Sequence, residues 1–389
     1  MIDMDSVLIL ATQYKPNIGG IQTYLEEFTR FLAKNGYFVN VLTFNPRPIS
    51  RLFKTRITSF EYKEPSEQIK IKRFGYFDFG ISHIFQIRTL IEFFLILNML
   101  IHSLLFMASK GKSIKLIHAH DYVTAAVAFV LSKAFHKKWV MSHHSIFPYF
   151  KNTLRRRIGG ALLKNANLIF ANSETVKKQL EKGLGTKRPK IRIAHYWIDH
   201  ENFVMKDKVE ARGRLGLPSD AYIVMFVGRL EIAKGLEEFA KASKTADDNT
   251  YFVVVGSGED YPVIKKNSNP HLIYLGPKYG DAIVDCYNAA DVCCFPTAAI
   301  EAFGRVAIEA LSCGTPVIVS TTATKELIDD SVGMRTDPNS DAITKAISSF
   351  KMRFNKPNVR EKCREFALKN YSEDNGKVIL KEYERLIQN

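Results

Sequence analysis

Two glutamates stand eight positions apart in "EAFGRVAIEA", residues 301–310, with a Phe-Gly pair between them. Carboxylates are strong acceptors for hydroxyl groups, and a glycine beside a helix start lets backbone N–H groups approach an anion. With a helix beginning near Gly304, Glu309 lies about five residues in, roughly 7.5 Å along the axis at ~1.5 Å per residue. There its two oxygens suit a ribose diol, the phosphate sits at the helix N-terminus, and Glu301 faces whatever is attached beyond it. A solvated helix surface is the plainer account of the same ten residues. The rest of the chain has to decide.

Further stretches carry groups of the same kind. "GRLEIAKG" (228–235) holds Arg229 and Lys234 with a glycine on each side. Two such cations suit a pyrophosphate, neutralising it and stabilising charge as a leaving group departs. "KPNIGGIQTYLEEFTRFLAKNGY" (15–37) places Gly19 and Gly20 ahead of a helical pattern of Ile21, Tyr24, Leu25, Phe28 and Leu32. A glycine pair there brings backbone N–H groups and the helix dipole to a phosphate. It is not G-x-G-x-x-G, and no acidic residue follows the second strand at the ribose position, which disfavours a dinucleotide oxidoreductase. "VVVGSGED" (253–260) offers Gly256 and Gly258 as a backbone wall for a nucleotide base, or as an ordinary turn. Histidines come in pairs, in "HAHD" (118–121) and "SHHS" (142–145). Lacking a third, well-spaced carboxylate or cysteine set, they are not expected to hold a metal.

Groups like these act together only if strands present them at one edge. Short Val/Ile-rich runs without polar alternation indicate strands buried on both faces, as in parallel sheets. In the first half they fall at Ser6–Ala11, Phe38–Phe44, Ile69–Phe74, Leu116–Ala119, Trp139–Ser142, Leu168–Ala171 and Ile191–Ala194. In the second half they fall at Ile223–Val227, Phe252–Val255, Leu272–Leu275, Val292–Phe295 and Val317–Ser320. Helical patterns between them supply the crossovers. The expected fold class is therefore α/β, with two Rossmann-like doubly wound domains facing a central cleft, and ligands at the carboxyl ends of the strands. The expected domains are residues 1–198 and 199–370. A final amphipathic helix, 371–389, has Val378, Ile379, Tyr383, Leu386 and Ile387 at helical spacing.

A chain of 389 residues with 46% apolar content fits two folded domains and excludes disorder. The net charge of +15 is uneven: residues 1–200 carry 30 basic and 13 acidic side chains, a balance of +17, and the remainder carries −2. Basic clusters at 51–56, 70–73, 151–157 and 182–192 would attract nucleic acid, anionic lipid or phosphorylated substrates. Residues 91–108 are strongly apolar but broken by Glu92, Asn98, His102 and Ser103, so they suit a core helix or a helix lying in a lipid interface rather than a span. The N-terminal stretch lacks the features of a signal peptide, and five cysteines without a CxxC pair argue against a disulfide framework. A reducing cytoplasm is the expected location.

Taken in order, these motifs resemble retaining glycosyltransferases of family 4, which have the two-Rossmann GT-B fold. The likeness rests on E-x-F-G-x-x-x-x-E at 301–309, the glycine pair at 19–20, "HAHD" at 118–121, "GRL…KG" at 228–235, "NAADVCCFPT" at 288–297 and "EALSCGTPVIVS" at 309–320. It implies that Gly20 meets the donor phosphate, that Arg229 and Lys234 hold the pyrophosphate, and that Glu301 binds donor sugar hydroxyls beside the backbone of Phe303 and Gly304. It further implies that Glu309 binds the ribose and that His120 lies near the anomeric centre. Asp121, His143 and His144 would line the acceptor side, and the C-terminal helix would cross back to the first domain. No cofactor is implied beyond the nucleotide-diphosphate sugar as co-substrate. Arg, Lys and a helix terminus take the place of a metal, and a front-face, oxocarbenium-like route replaces a carboxylate nucleophile.

The resemblance has two departures. Ala302 stands where glycine is frequent. The hinge reads "HYWID" (195–199), with Tyr196 and Trp197 replacing an Asn-Gly turn, where they either stack on an acceptor sugar or stiffen the hinge. The basic first domain and the apolar helix together suggest a lipid-linked or anionic lipid acceptor at the cytoplasmic face of the inner membrane, with peripheral membrane contact. A soluble sugar or sugar-phosphate acceptor is the other enzymatic reading. A two-Rossmann sugar-nucleotide epimerase would need no acceptor. A nucleic-acid-binding protein is not expected, because no recognised nucleic-acid motif accompanies the charge.

Overall fold

The computed structural model describes residues 4–17, 19–45, 66–75, 85–144, 153–185, 190–299, 301–354 and 358–388. The basic cluster at 51–56 lies outside the described residues, as does part of those at 151–157 and 182–192. The chain forms two compact units, Met1–His195 with Gly376–Asn389, and Tyr196–Asn375. The borders at 195/196 and 375/376 replace the expected 198/199 and 370/371.

The first unit alternates strand and helix. It begins β1 (Ser6–Leu10), α1 (Gly20–Lys34), β2 (Phe38–Phe44), β3 (Ile69–Phe74), α2 (Phe85–Lys110) and β4 (Ile114–Ala119). It continues α3 (Tyr122–Ala134), β5 (Lys138–His143), α4 (Thr153–Lys164), β6 (Leu168–Ala171), α5 (Glu174–Leu184) and β7 (Lys190–Ile193). The strands make one parallel sheet in the order β3-β2-β1-β4-β5-β6-β7. Every residue of β1 is buried, as its unbroken apolar run requires of a central strand covered on both faces. Strand order reverses between β1 and β4, so their carboxyl ends open the crevice where doubly wound sheets bind ligands.

The second unit begins α6 (Lys208–Leu215), β8 (Tyr222–Val227), α7 (Leu236–Ala242), β9 (Thr250–Val255), α8 (Pro262–Lys266) and β10 (Leu272–Gly276). Then come α9 (Asp281–Ala289), β11 (Val292–Phe295), α10 (Arg305–Ser312), β12 (Val317–Ser320), β13 (Gly333–Thr336), α11 (Ser340–Phe354) and α12 (Val359–Asn370). Its parallel sheet runs β10-β9-β8-β11-β12-β13, with the switch between β8 and β11. Strand β13 escapes the sequence pattern because "GMRT" has no apolar run; pairing with β12, from Val317↔Gly333 to Ser320↔Thr336, makes it a strand. The last helix, α13 (Lys377–Gln388), belongs to the first unit and buries Ile379, Tyr383 and Leu386 there.

Helix α2 has one face in the core and another left exposed. Met99, Ser103 and Met107 are buried and the His102 ring stacks on Phe74 at 4.5 Å, so one face is core. Residues Glu92–Lys110 are long and apolar enough to cross a membrane, yet only 22% of that window is buried.

Candidate active site

In the second unit the expected donor groups gather at the switch point. The loop after β8 carries Arg229 and Lys234, and the loop after β11 carries Glu301. Lys234 Nζ lies 2.7 Å from Glu301 Oε1, an ion pair between partly buried side chains. The backbone amide of Ala298 donates to the Ala233 carbonyl at 3.1 Å, which ties the two loops together beside that pair. Arg229 projects outward, 69% exposed, with Glu231 against it. Gly256 closes β9 at φ +141°, where any Cβ would collide with the Gly228 carbonyl oxygen. The β8 and β9 loops therefore approach more closely than any other residue allows.

Helix α10 starts where the sequence placed it. Gly304 precedes its first residue at φ +85° and offers no side chain as a cap, so the first backbone N–H groups remain available to an anion. Phe303 is buried against Tyr196 at 4.7 Å and anchors the loop. Glu309 accepts on both oxygens, from Tyr287 Oη at 2.7 Å and from Arg305 Nε at 2.9 Å. Tyr287 is fully buried, and burial first, then the Glu309 charge, holds its phenol well above the usual range. Sequence reasoning missed both partners. Arg305 was legible as an i,i+4 neighbour of Glu309, whereas Tyr287 comes from α9 and only the fold brings it near.

In the first unit three imidazoles stack at the carboxyl ends of β4 and β5. His118 and His120 lie 4.2 Å apart between ring centres, and His120 stacks on His144 at 5.2 Å. His118 is locked on both nitrogens, Nδ1 to Tyr383 Oη of α13 at 2.5 Å and Nε2 to Ser142 Oγ at 2.8 Å. His120 Nδ1 meets His144 Nε2 at 2.9 Å. His120 Nε2 is buried and has no hydrogen-bond partner among the described residues. A buried orphan of this kind marks an atom kept for a ligand, water or proton. Burial, followed by neighbouring histidines, holds His118 and His120 well below the usual imidazole range. The same causes bring His144 down to about 3, and burial alone brings His143 to about 4. All four are neutral at pH 7.

The remaining candidates are placed as follows. Asp121 caps α3: its Oδ1 accepts from the Thr124 amide at 2.8 Å and its Oδ2 from the Thr12 amide at 2.9 Å. Burial pushes its carboxyl up while those amides pull it down. Its oxygens thus tie β4 to the loop after β1, a positioning use that the acceptor-side assignment did not foresee. His144 likewise turns toward His120. Gly19 and Gly20 open α1 without a side-chain cap, and Phe28 of that helix sets its ring edge on His118 and His120. Tyr196 and Trp197 are 5% and 1% exposed, which favours stiffening of the hinge over stacking on a sugar. Among the described residues no group of three or more His, Cys, Asp or Glu is arranged to hold a metal.

Residues 18–202 match the family described as Glycosyltransferase Family 4, and residues 207–370 match Glycosyl transferases group 1. A D-inositol 3-phosphate glycosyltransferase of Corynebacterium urealyticum is 26% identical over 56% of this chain and 58% of its own length. The chain thus spans less than two thirds of that relative in the match. An uncharacterized glycosyltransferase of Methanocaldococcus jannaschii is 24% identical across 98% of both chains. Among solved structures, sucrose-phosphate synthase of Thermosynechococcus elongatus superposes with a TM-score of 0.81 at 20% identity over 99% of both chains. Anabaena HepE in complex with UDP and glucose gives 0.76 at 19% identity, over 98% of this chain and all of its own.

Proposed function

The chain belongs to family 4 of the glycosyltransferases, with the GT-B fold of two Rossmann-like units, and from that premise we propose that it moves a sugar from a nucleotide diphosphate to an acceptor hydroxyl, retaining the anomeric configuration. The observation that carries this reading is the Lys234–Glu301 pair at the β8/β11 switch point. A donor supplies what each member lacks: pyrophosphate oxygens for Lys234 and Arg229, sugar hydroxyls for Glu301. Glu309, held on its outer sides by Tyr287 and Arg305, keeps acceptor capacity for a ribose diol. The uncapped starts of α1 and α10 add backbone donors for phosphate. His120 Nε2 is the first unit's candidate to meet the sugar or acceptor.

In this account the bond from the anomeric carbon to the phosphate oxygen breaks as that carbon bonds to the acceptor oxygen on the same face. The acceptor proton passes to the departing phosphate oxygen. Lysine, arginine and helix-terminal N–H groups stabilise the leaving charge, so no metal is required. The acceptor we favour is a membrane lipid or lipid-linked glycan at the cytoplasmic face, which suits the +17 balance of residues 1–200 and the exposed side of α2. The names of the relatives favour a second reading, a soluble phosphorylated polyol or sugar.

Incubation with labelled sugar nucleotides, and with either a membrane lipid extract or inositol and hexose phosphates, separates the two acceptors. The expected product is an organic-phase glycolipid with the donor's anomeric configuration by NMR. Label found only in the aqueous phase on a sugar phosphate would move the assignment to the soluble acceptor, and an inverted product would overturn retention.

A further inference from the structure

Helix α2 carries an apolar row that the first unit leaves uncovered. Phe93, Leu97, Ile101 and Leu105 are 58%, 41%, 50% and 64% exposed. Spaced by four, they follow one another along one side of the helix for about 18 Å at ~1.5 Å per residue. The other side is committed, with Met99, Ser103 and Met107 buried and α2 packed on α3 and β2. Exposed apolar residues are ordinary one at a time, but a contiguous row marks a surface that something covers.

The charge around the row says what kind of surface. From Glu92 to Lys138 the chain has six lysines and two acids, Glu92 just ahead of the row and Asp121, which caps α3. Lys110 and Lys112 stand where α2 ends, Lys115 where β4 begins, Lys133 in the last turn of α3 and Lys137 just before β5. The parallel pairing that sets Leu116 opposite Lys138 brings Lys115 beside Lys137. Lys137 is accordingly held below the usual lysine range, by burial and then by Lys115. None of these five lysines forms an ion pair among the described residues. They are separate from the basic clusters visible in the sequence, since three elements contribute them and only the fold gathers them.

We propose that α2 is a membrane-docking element, lying in the plane of an anionic bilayer with Phe93, Leu97, Ile101 and Leu105 among the acyl chains and the lysines at its end among the headgroups. This rests on the membrane-acceptor reading above and names the surface that would serve it. Apolar burial and attraction to anionic lipid act together in such helices, neither sufficing alone.

The test is co-sedimentation of the full chain with vesicles of phosphatidylcholine, alone or mixed with phosphatidylglycerol, without any sugar nucleotide. The wild-type chain binds the mixed vesicles, binds neutral ones weakly, and is released by salt. The variant Leu97→Glu with Leu105→Glu loses binding. The variant Lys112→Gln, Lys115→Gln and Lys133→Gln binds the mixed vesicles on the order of a hundredfold more weakly, from about fivefold per lysine. Unchanged thermal stabilisation by the donor nucleotide certifies that both variants are folded. Absence of wild-type binding overturns docking, as does binding that ignores both sets of substitutions. Concentration-dependent self-association of the wild-type chain, lost in the leucine variant, would also overturn it, because a second copy would then cover the row. Docking without transfer to any lipid would instead overturn the acceptor reading and leave the docking surface standing.

Discussion

Glu309 accepts one hydrogen bond on each carboxylate oxygen from its own unit, which fixes where its remaining lone pairs point. Tyr287→Phe removes one of the two supports and leaves Arg305 in place. Loss of a hydrogen bond to a charged group, about 1.5 kcal/mol, raises the donor KM about tenfold. Under the proposed function Glu309 addresses the ribose and not the reacting carbon, so kcat should change little; steady-state kinetics with the identified donor read the split directly. A fall in kcat at constant KM would place Tyr287 in the chemistry instead. The two glutamates, Arg229 and Lys234 were singled out by residue type and spacing, and His120 by the family resemblance. Their partners were not. Tyr287 reaches Glu309 from another helix, His144 reaches His120 from another strand, and Tyr383 reaches His118 from the far end of the chain. A residue type at a motif position shows what a side chain can do, and only tertiary pairing shows what holds it there.

At the scale of elements, β4 and β5 carry four neutral histidines at their carboxyl ends, and that choice has a consequence for acid stability. The folded values, about 4 for His143 and about 3 for His144, lie below the ~6.5 of an exposed imidazole. Below pH 6.5 the unfolded chain therefore binds protons that the folded chain refuses. The stability is fully present above about pH 6.5 and falls as pH drops toward 4, by about 1.4 kcal/mol per pH unit for each such histidine. Thermal melts at pH 7.5 and pH 5 should show the first unit losing stability at the lower value. A first-unit transition independent of pH over that interval would mean that these imidazoles are solvated. Strands were the most legible elements, because buried parallel strands write themselves as apolar runs. Strand β13 was the exception, a polar four-residue edge defined by its neighbour. The two faces of α2 were both visible as composition, but which residues lie on which face was decided by packing.

The whole molecule repeats one device, a doubly wound sheet with candidate site residues at the switch point. In the first unit His120 follows β4, its amide donating to the Leu10 carbonyl at the end of β1. In the second unit Lys234 and Glu301 follow β8 and β11. The fold class was therefore readable from strand count and motif order, whereas the borders of the units lie a few residues away, with the hinge aromatics Tyr196 and Trp197 in the second unit. Under the proposed function the asymmetry of charge suits two different partners, an anionic surface for the first unit and a compact diphosphate for the second. The central claim is that the second unit holds a nucleotide-diphosphate sugar, and thermal stability with saturating UDP, GDP, ADP and their sugar conjugates tests it most directly. Ligand at 100 times its dissociation constant adds about 2.7 kcal/mol, a shift of roughly 5–10 °C for a unit of this size. A shift with one base, abolished in Lys234→Ala, is the predicted result. No shift with any nucleotide, or an equal shift in Lys234→Ala, would contradict the claim.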